Sequence, residues 1–223
     1  MAEANTIPVT TTALLDARQP GALEEAAARL RQGDLVAFPT DTVYGLGALV
    51  WNAASVARIY QAKARPPEKA IPVLLAGVAQ LALLGVEATP LLLRLAERFW
   101  PGPLTLVARC DARVPEIVTA GTLTVAVRMP DHAAALRLFD LVGQPLAATS
   151  ANLSGHTNPL TASDVMAQLG GRIEAVVDGG ACPGGVPSTV LDCSVSPPRI
   201  LRPGPVTAQD LRFMGAELAF VEG

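Results

Sequence analysis

The chain has only two lysines, and they stand six residues apart in Gln61-Ala-Lys63-Ala-Arg65-Pro66-Pro67-Glu68-Lys69; its other basic side chains are arginines. A compact ammonium in a chain that otherwise uses Arg marks this segment as a place where the type of cation matters. Pro66 biases Arg65 toward an extended backbone. With Lys63 extended as well, the two side chains share one face, because strand side chains alternate. Two cations on one face form a site for a polyphosphate or a carboxylate. A solvated basic turn at a helix C-terminus would use the same residues.

Further polar residues gather where apolar runs stop. LVAFP (35–39) runs into Thr40-Asp41-Thr42-Val43-Tyr44-Gly45, LTVAV (123–127) into Arg128, and PLAAT (145–149) into Ser150-Ala-Asn152, while Pro187 is followed by Ser188 and Thr189. Ligands of open α/β sheets collect at strand ends. Small hydroxyl and amide side chains there can hydrogen-bond a bound molecule, although turns and caps use the same types. Thr122, Thr124, Ala126 and Arg128 fall on one strand face, an Arg closing a row of small residues, as an anion anchor in a cavity would. Arg202, in Ile200-Leu-Arg-Pro-Gly204, is a second candidate. Either Arg could equally sit in water at a strand exit.

Short apolar runs are the elements that would position these groups. Residues 35–39, 71–76, 104–108, 123–127, 145–149, 174–178 and 188–192 read as strands. Helices with readable ends lie between several of them. One runs from Glu24 to Arg31 and stops at Gly33. Another is capped by Asn52 and ends near Ala62. A third starts at Thr89-Pro90 and ends before Pro101, and a fourth is capped by Asp131 and ends at Gly143. A fifth is capped by Thr161 or Ser163 and ends at Gly170-Gly171; a short last one opens at Thr207, with Asp210 completing a capping box. Ala70 to Val86 reads as a buried strand followed by a helix. Strands alternating with helices imply an α/β fold, and connections too short for a crossover helix imply a mixed twisted sheet.

Composition narrows the function classes. The chain has 223 residues, half of them hydrophobic and 17% charged, which suits one large aliphatic-cored domain. Its net charge is −3, without the basic balance of a dedicated nucleic-acid binder. Cys110, Cys182 and Cys193 are odd in number and lack C-x-x-C spacing, so they read as reduced thiols of a cytoplasmic protein. His132 and His156 read as surface residues. MAEANTIPVTTT has neither the basic nor the apolar region of a signal peptide, and the most apolar stretch is too short and too interrupted to span a membrane. There is no P-loop, no complete dinucleotide-binding fingerprint after Gly45-Leu-Gly47 and no G-x-S-x-G elbow.

Six of these clusters, taken in order, resemble the YrdC-like threonylcarbamoyl-AMP synthases. They are Pro39-Thr-Asp-Thr-Val-Tyr-Gly-Leu46, Lys63-Ala-Arg65-Pro66, Thr124-Val-Ala-Val-Arg128-Met-Pro130, Ser150-Ala-Asn152-Leu-Ser-Gly155, Pro187-Ser-Thr-Val190 and Leu201-Arg-Pro-Gly204. The resemblance covers about residues 20 to 215. It implies a twisted mixed sheet with flanking helices around a large concave cavity. It also implies a catalytic constellation of Lys63, Arg65, Ser150 and Asn152. It would place Thr42, Thr124, Arg128, Ala148 and Ser188 around threonine, and Arg65, Lys69, Ser150, Asn158 and Arg202 around ATP. Ala64 stands where the family usually has glycine, Ala70-Ile71 where it commonly has Pro-Leu, and Leu74 where some members carry a histidine. The sequence ends soon after Arg202, as in the short family form without a further C-terminal domain.

The reaction that the resemblance implies joins L-threonine, bicarbonate or CO2, and ATP into threonylcarbamoyl-AMP and pyrophosphate, for N6-threonylcarbamoyladenosine in tRNA. Mg2+ would arrive with ATP, no protein metal ligands being evident. Transferase proteins downstream would take the intermediate, and contact with tRNA itself would be weak or indirect. Two other readings stay open: an RNA-binding module of the same fold, and a carbamoyl-adenylate enzyme with another acceptor or donor.

Overall fold

The computed structural model describes residues 11–218, so most of the N-terminal segment read above for a signal peptide lies outside the described residues. The strands are β1 (Ala13–Asp16), β2 (Val36–Phe38), β3 (Gly45–Leu49), β4 (Val73–Leu74), β5 (Leu104–Arg109), β6 (Thr124–Arg128), β7 (Leu146–Ser150), β8 (Ala175–Asp178), β9 (Thr189–Asp192) and β10 (Arg199–Arg202). The helices are α1 (Ala22–Gln32), α2 (Ala53–Lys63), α3 (Pro90–Phe99), α4 (Glu116–Thr119), α5 (Ala133–Val142), α6 (Ala162–Leu169) and α7 (Ala208–Phe213). All ten strands join one mixed sheet in the order β1-β8-β2-β3-β7-β4-β6-β5-β9-β10.

Strand alternation splits the core in two. One face of the sheet carries Ala37, Leu46, Ala48, Val73, Leu104, Leu106, Val125, Val127, Ala147 and Leu191, packed with residues of α2, α3, α4, α6 and α7. The other face carries Val36, Phe38, Leu49, Leu146, Ala148, Ala175 and Val177, packed with α1 and α5. Those two helices cover the β1-β8-β2-β3-β7 side, with Leu74 of β4 in the same cluster. Over β6, β5 and β9 no helix among the described residues packs on the second face, and there the positions turned outward include Ala126, Arg128, Thr105 and Val190, with Ser188 just before β9. The open half of that face is the floor of a cavity.

The predicted α/β class and mixed sheet are observed, as are most helix ends. Asn52 Oδ1 accepts from the Ser55 N–H, Thr89 caps α3, and Thr161 with Asp164 and Thr207 with Asp210 form capping boxes. Three expectations fail. At α5 the N-cap is His132, not Asp131, and its side chain makes no cap bond. The 70–86 stretch gives the two-residue β4 and then a single 3-10 turn at Val78–Leu81, not a helix. His132 is not a surface residue: it is half-buried, and its Nδ1 is buried without a hydrogen-bond partner among the described residues. His156 is exposed, and the three cysteines are free thiols.

Candidate active site

The cavity has a volume of about 350 Å³ and is walled by ends of β3, β4, β5, β6, β7, β9 and β10. Leu74 pairs with Arg128 across β4–β6, and Thr105 pairs with Val190 across β5–β9. Extending the β5–β6 register by one residue sets Thr105 beside Arg128. One cross-sheet row thus runs Leu74, Arg128, Thr105, Val190, and alternation turns all four into the cavity.

Arg128 is the anchor of this row. Its Nε donates to Gly102 O at 2.9 Å, Nη1 to Thr42 Oγ1 at 3.1 Å and Nη2 to Asp41 Oδ1 at 2.5 Å. The ion pair is enclosed, with side-chain exposures of 8% for Arg128 and 14% for Asp41. Burial lowers the Arg128 pKa; the Asp41 carboxylate opposes that and the Arg202 guanidinium adds to it. Across the cavity Arg202 donates to Ser188 O at 2.8 Å and to Ser188 Oγ at 3.1 Å. Ser188 Oγ in turn meets Thr105 Oγ1 at 2.7 Å. Arg65 spans to Ala70 O at 2.9 Å. Burial lowers the pKa of both Arg65 and Arg202, and among the described residues neither has a carboxylate partner. Arg65 is half-buried and Arg202 exposed, and two guanidiniums on one cavity wall without counter-ions favour an anionic ligand.

Lys63 is placed differently from the expectation that it shares a face with Arg65. It is the last residue of α2, and Ala64 takes a left-handed conformation at φ 49°, so the chain does not alternate there. Lys63 is 2% exposed and does not line the cavity. It donates to Ser150 O, to Asn152 O at 2.5 Å and to Asn152 Oδ1 at 3.4 Å. Burial, with the nearby Arg65 cation, lowers its pKa to about 7. Asn152 is not on the cavity wall either. Its Nδ2 donates to Leu153 O at 2.9 Å and His156 O at 2.8 Å, and Lys63 O accepts from Ser154 N at 2.9 Å. Lys63 and Asn152 therefore hold the end of β7 and the loop after it, and Ser150, the last residue of β7, does line the cavity.

Of the expected threonine residues, Thr42, Arg128, Ala148 and Ser188 line the cavity; of the expected ATP residues, Arg65, Ser150, Asn158 and Arg202 do. Thr124 and Lys69 do not. Thr124 begins β6 four residues short of Arg128, its hydroxyl 3.0 Å from that of Thr122. Lys69 is exposed. Two functional side chains went unread in the sequence. Thr105 could have been found from its alternation in LTLVA, where it opposes the buried Leu104 and Leu106. Asp41 sits in a quoted motif, but nothing in sequence separates an Arg-binding carboxylate from a turn residue.

Ala64 holds a strained backbone at the end of α2. An L-residue with a Cβ in the left-handed region costs roughly 1 kcal/mol relative to glycine. Ala64→Gly should raise stability by about that amount, or roughly 2–4 °C in Tm for a chain of this size. Thermal unfolding of the two proteins measures it.

Comparison with known proteins places this architecture. The profile of the family Sua5_yciO_yrdC, described as Telomere recombination, matches residues 28–204. Threonylcarbamoyl-AMP synthase of Bacillus subtilis is 49% identical over 191 residues, 85% of this chain and 55% of that protein. The synthase of Pyrococcus abyssi is 45% identical over 193 residues, 86% of this chain and 57% of that protein. The chain thus spans about half the length of these curated relatives. A crystal structure of P. abyssi Sua5 complexed with L-threonine superposes with a TM-score of 0.89 at 42% identity, covering 94% of this chain and 63% of that one. The motifs, the half-covered sheet and the matched span together make this chain a member of the Sua5/YciO/YrdC family.

Proposed function

We propose that this chain is an L-threonylcarbamoyladenylate synthase, a nucleotidyltransferase that makes threonylcarbamoyl-AMP and pyrophosphate from L-threonine, bicarbonate or CO2, and ATP. One observation carries the reading: a single cavity holds two counter-ion-free guanidiniums, Arg65 and Arg202, together with a separately anchored third, Arg128. A polyphosphate and a carboxylate are the two anions such a cavity takes. The names of the relatives support this choice of substrates.

The threonine amine attacks CO2 to give a carbamate, losing a proton. A carbamate oxygen then attacks the α-phosphorus of ATP, the α–β bridging P–O bond breaks, and pyrophosphate leaves. Arg128 binds the threonine carboxylate, with Thr42, Ala148 and Ser188 around the amino acid. Arg65 and Arg202 neutralise charge growing on the phosphates, and Ser150 and Asn158 hydrogen-bond the nucleotide. Lys63 and Asn152 hold the loop that presents Ser150. ATP enters as its Mg2+ complex; among the described residues no cluster of three His, Cys, Asp or Glu could hold a resident metal. The product passes to proteins that modify tRNA, in the cytoplasm. Among the described residues no helix is long and apolar enough to cross a membrane.

The test is pyrophosphate release with ATP, bicarbonate and threonine, each omitted in turn, and with carbamoyl phosphate in place of bicarbonate. Strict dependence on threonine is expected. Arg65→Ala or Arg202→Ala should lower kcat/KM about a hundredfold, the scale of losing one transition-state donor. Release that ignores threonine, or that needs carbamoyl phosphate, would overturn the assignment.

A further inference from the structure

We propose that Asp41, which does not itself line the cavity, is a positioning residue that sets the affinity for the amino-acid carboxylate by holding the Arg128 fork in register. The inference rests on the reading of Arg128 as the carboxylate anchor.

A guanidinium has five N–H groups in fixed directions. Three are used, by Gly102 O, Thr42 Oγ1 and Asp41 Oδ1. One N–H remains on each terminal nitrogen, and two parallel donors match the two oxygens of a carboxylate. Gly102 O and Thr42 Oγ1 fix Nε and Nη1; among the described residues only Asp41 fixes Nη2. Without it the guanidinium plane can turn about the remaining bonds, and the two free N–H groups lose their fixed direction.

Asp41 is itself held from several sides. Its Oδ1 also accepts the backbone N–H of Asp131 at 3.0 Å, which closes the turn that follows β6 and Arg128. Thr40 Oγ1 accepts the N–H of Thr42 at 3.1 Å and donates to Val43 O at 2.7 Å, so the Thr40–Val43 turn offers Asp41 and Thr42 side by side. The Gly-rich segment before Ser188 packs on the same turn. Gly185 N donates to Thr42 O at 3.1 Å, and a Cβ on Gly184 would lie 3.0 Å from Asp41 O. Arg128 also faces the like charge of Arg202, and Asp41 is the carboxylate that offsets it.

Calorimetric binding of L-threonine, of L-threoninol and of ATP to wild type, Asp41→Ala and Asp41→Asn tests this without requiring turnover. L-Threoninol keeps the amine, hydroxyl and methyl but has no carboxylate. Wild type should bind threonine more tightly than threoninol. Asp41→Ala should weaken threonine binding about tenfold or more, the scale of one lost charge-assisted hydrogen bond. Asp41→Asn, which keeps an oxygen acceptor and the side-chain shape, should fall between and stands in if the Ala variant does not fold. Threoninol and ATP affinities should stay within about twofold. Equal losses for threonine and threoninol, or no loss for threonine, would overturn the positioning role while leaving the proposed reaction standing. A wild type that binds ATP but no threonine would overturn both.

Discussion

Lys63→Met is expected to cost about a hundredfold in threonine-dependent pyrophosphate release while the chain remains folded. The ammonium does not reach the cavity, so the loss acts through the loop after β7. Methionine matches the volume of the lysine stem but has no donor. It leaves the carbonyls of Ser150 and Asn152 buried and unpaired, at about 1–3 kcal/mol each. The loop relieves that by moving toward water, and Ser150 moves with it. A displacement of roughly 1 Å at a substrate-orienting group is enough for the predicted loss. Unchanged turnover would show that the loop keeps its place without the ammonium.

The same side chain gives stability a pH dependence of definite sign. In the folded chain the Lys63 pKa is about 7, against an ordinary value of 10.5. Between those values the unfolded chain holds the extra proton, so stability rises with pH from about 7 to 10.5. Below the folded value both states are protonated and this contribution is flat. A shift of that size corresponds to at most about 5 kcal/mol, at roughly 1.4 kcal/mol per pH unit. The three oxygens around Nζ favour the charged form and reduce it. Urea unfolding of wild type and Lys63→Met at pH 7, 8, 9 and 10 should show a rise in the first that is absent from the second. Parallel profiles would mean that the amine titrates as it does in water.

Elements whose residues follow a simple rule were legible in the sequence. The β5, β6 and β7 runs are apolar and bounded by turn residues, and α2, α3 and α6 announce themselves by Asn52, Thr89-Pro90 and Thr161. The strand β3, Gly45-Leu-Gly-Ala-Leu49, was not legible, because its two glycines argue against a strand. The reason lies across the sheet: a Cβ on Gly47 would come 2.8 Å from Phe38 Cε1 and one on Gly45 3.1 Å from Phe38 Cε2. That ring meets Phe139 of α5 edge-on at 5.1 Å, so glycine lets α5 settle on the sheet. The strands β1 and β10 sit at the two edges and carry too few buried residues to show a pattern. In the site, Arg128 could be read from alternation with Ala126. The opposite fates of Lys63 and Arg65 could not, because they turn on one left-handed residue, Ala64, that local propensity opposes.

Gly204→Ala should disable the opposite wall of the cavity and destabilise the fold by about 3 kcal/mol. The added carbon would lie 2.4 Å from Thr189 N, 2.6 Å from Pro187 O and 2.7 Å from Ser188 C. All three are backbone atoms, so no side chain can swing aside. Thr189 cannot retreat, because its N–H donates to Pro103 O at 2.9 Å on the far side. Two ties draw Gly204 onto this segment. Before it, Arg202 is bonded to Ser188; after it, Val206 O accepts from Thr189 Oγ1 at 2.7 Å and Val206 N donates back at 3.0 Å. A methyl group between them must lengthen one tie or both. Loss of the first frees Arg202 from Ser188, and ATP binding should weaken about tenfold or more, since a guanidinium that must be reordered binds less well. Loss of the second loosens β9, which explains the expected drop in Tm of roughly 10 °C. Gly77→Ala is the matched control, since its backbone is extended and, among the described residues, nothing lies within 4 Å of the added carbon. It should leave both Tm and ATP affinity unchanged. If Gly204→Ala behaves like Gly77→Ala, the approach of Gly204 to Ser188 does not hold Arg202 in the cavity.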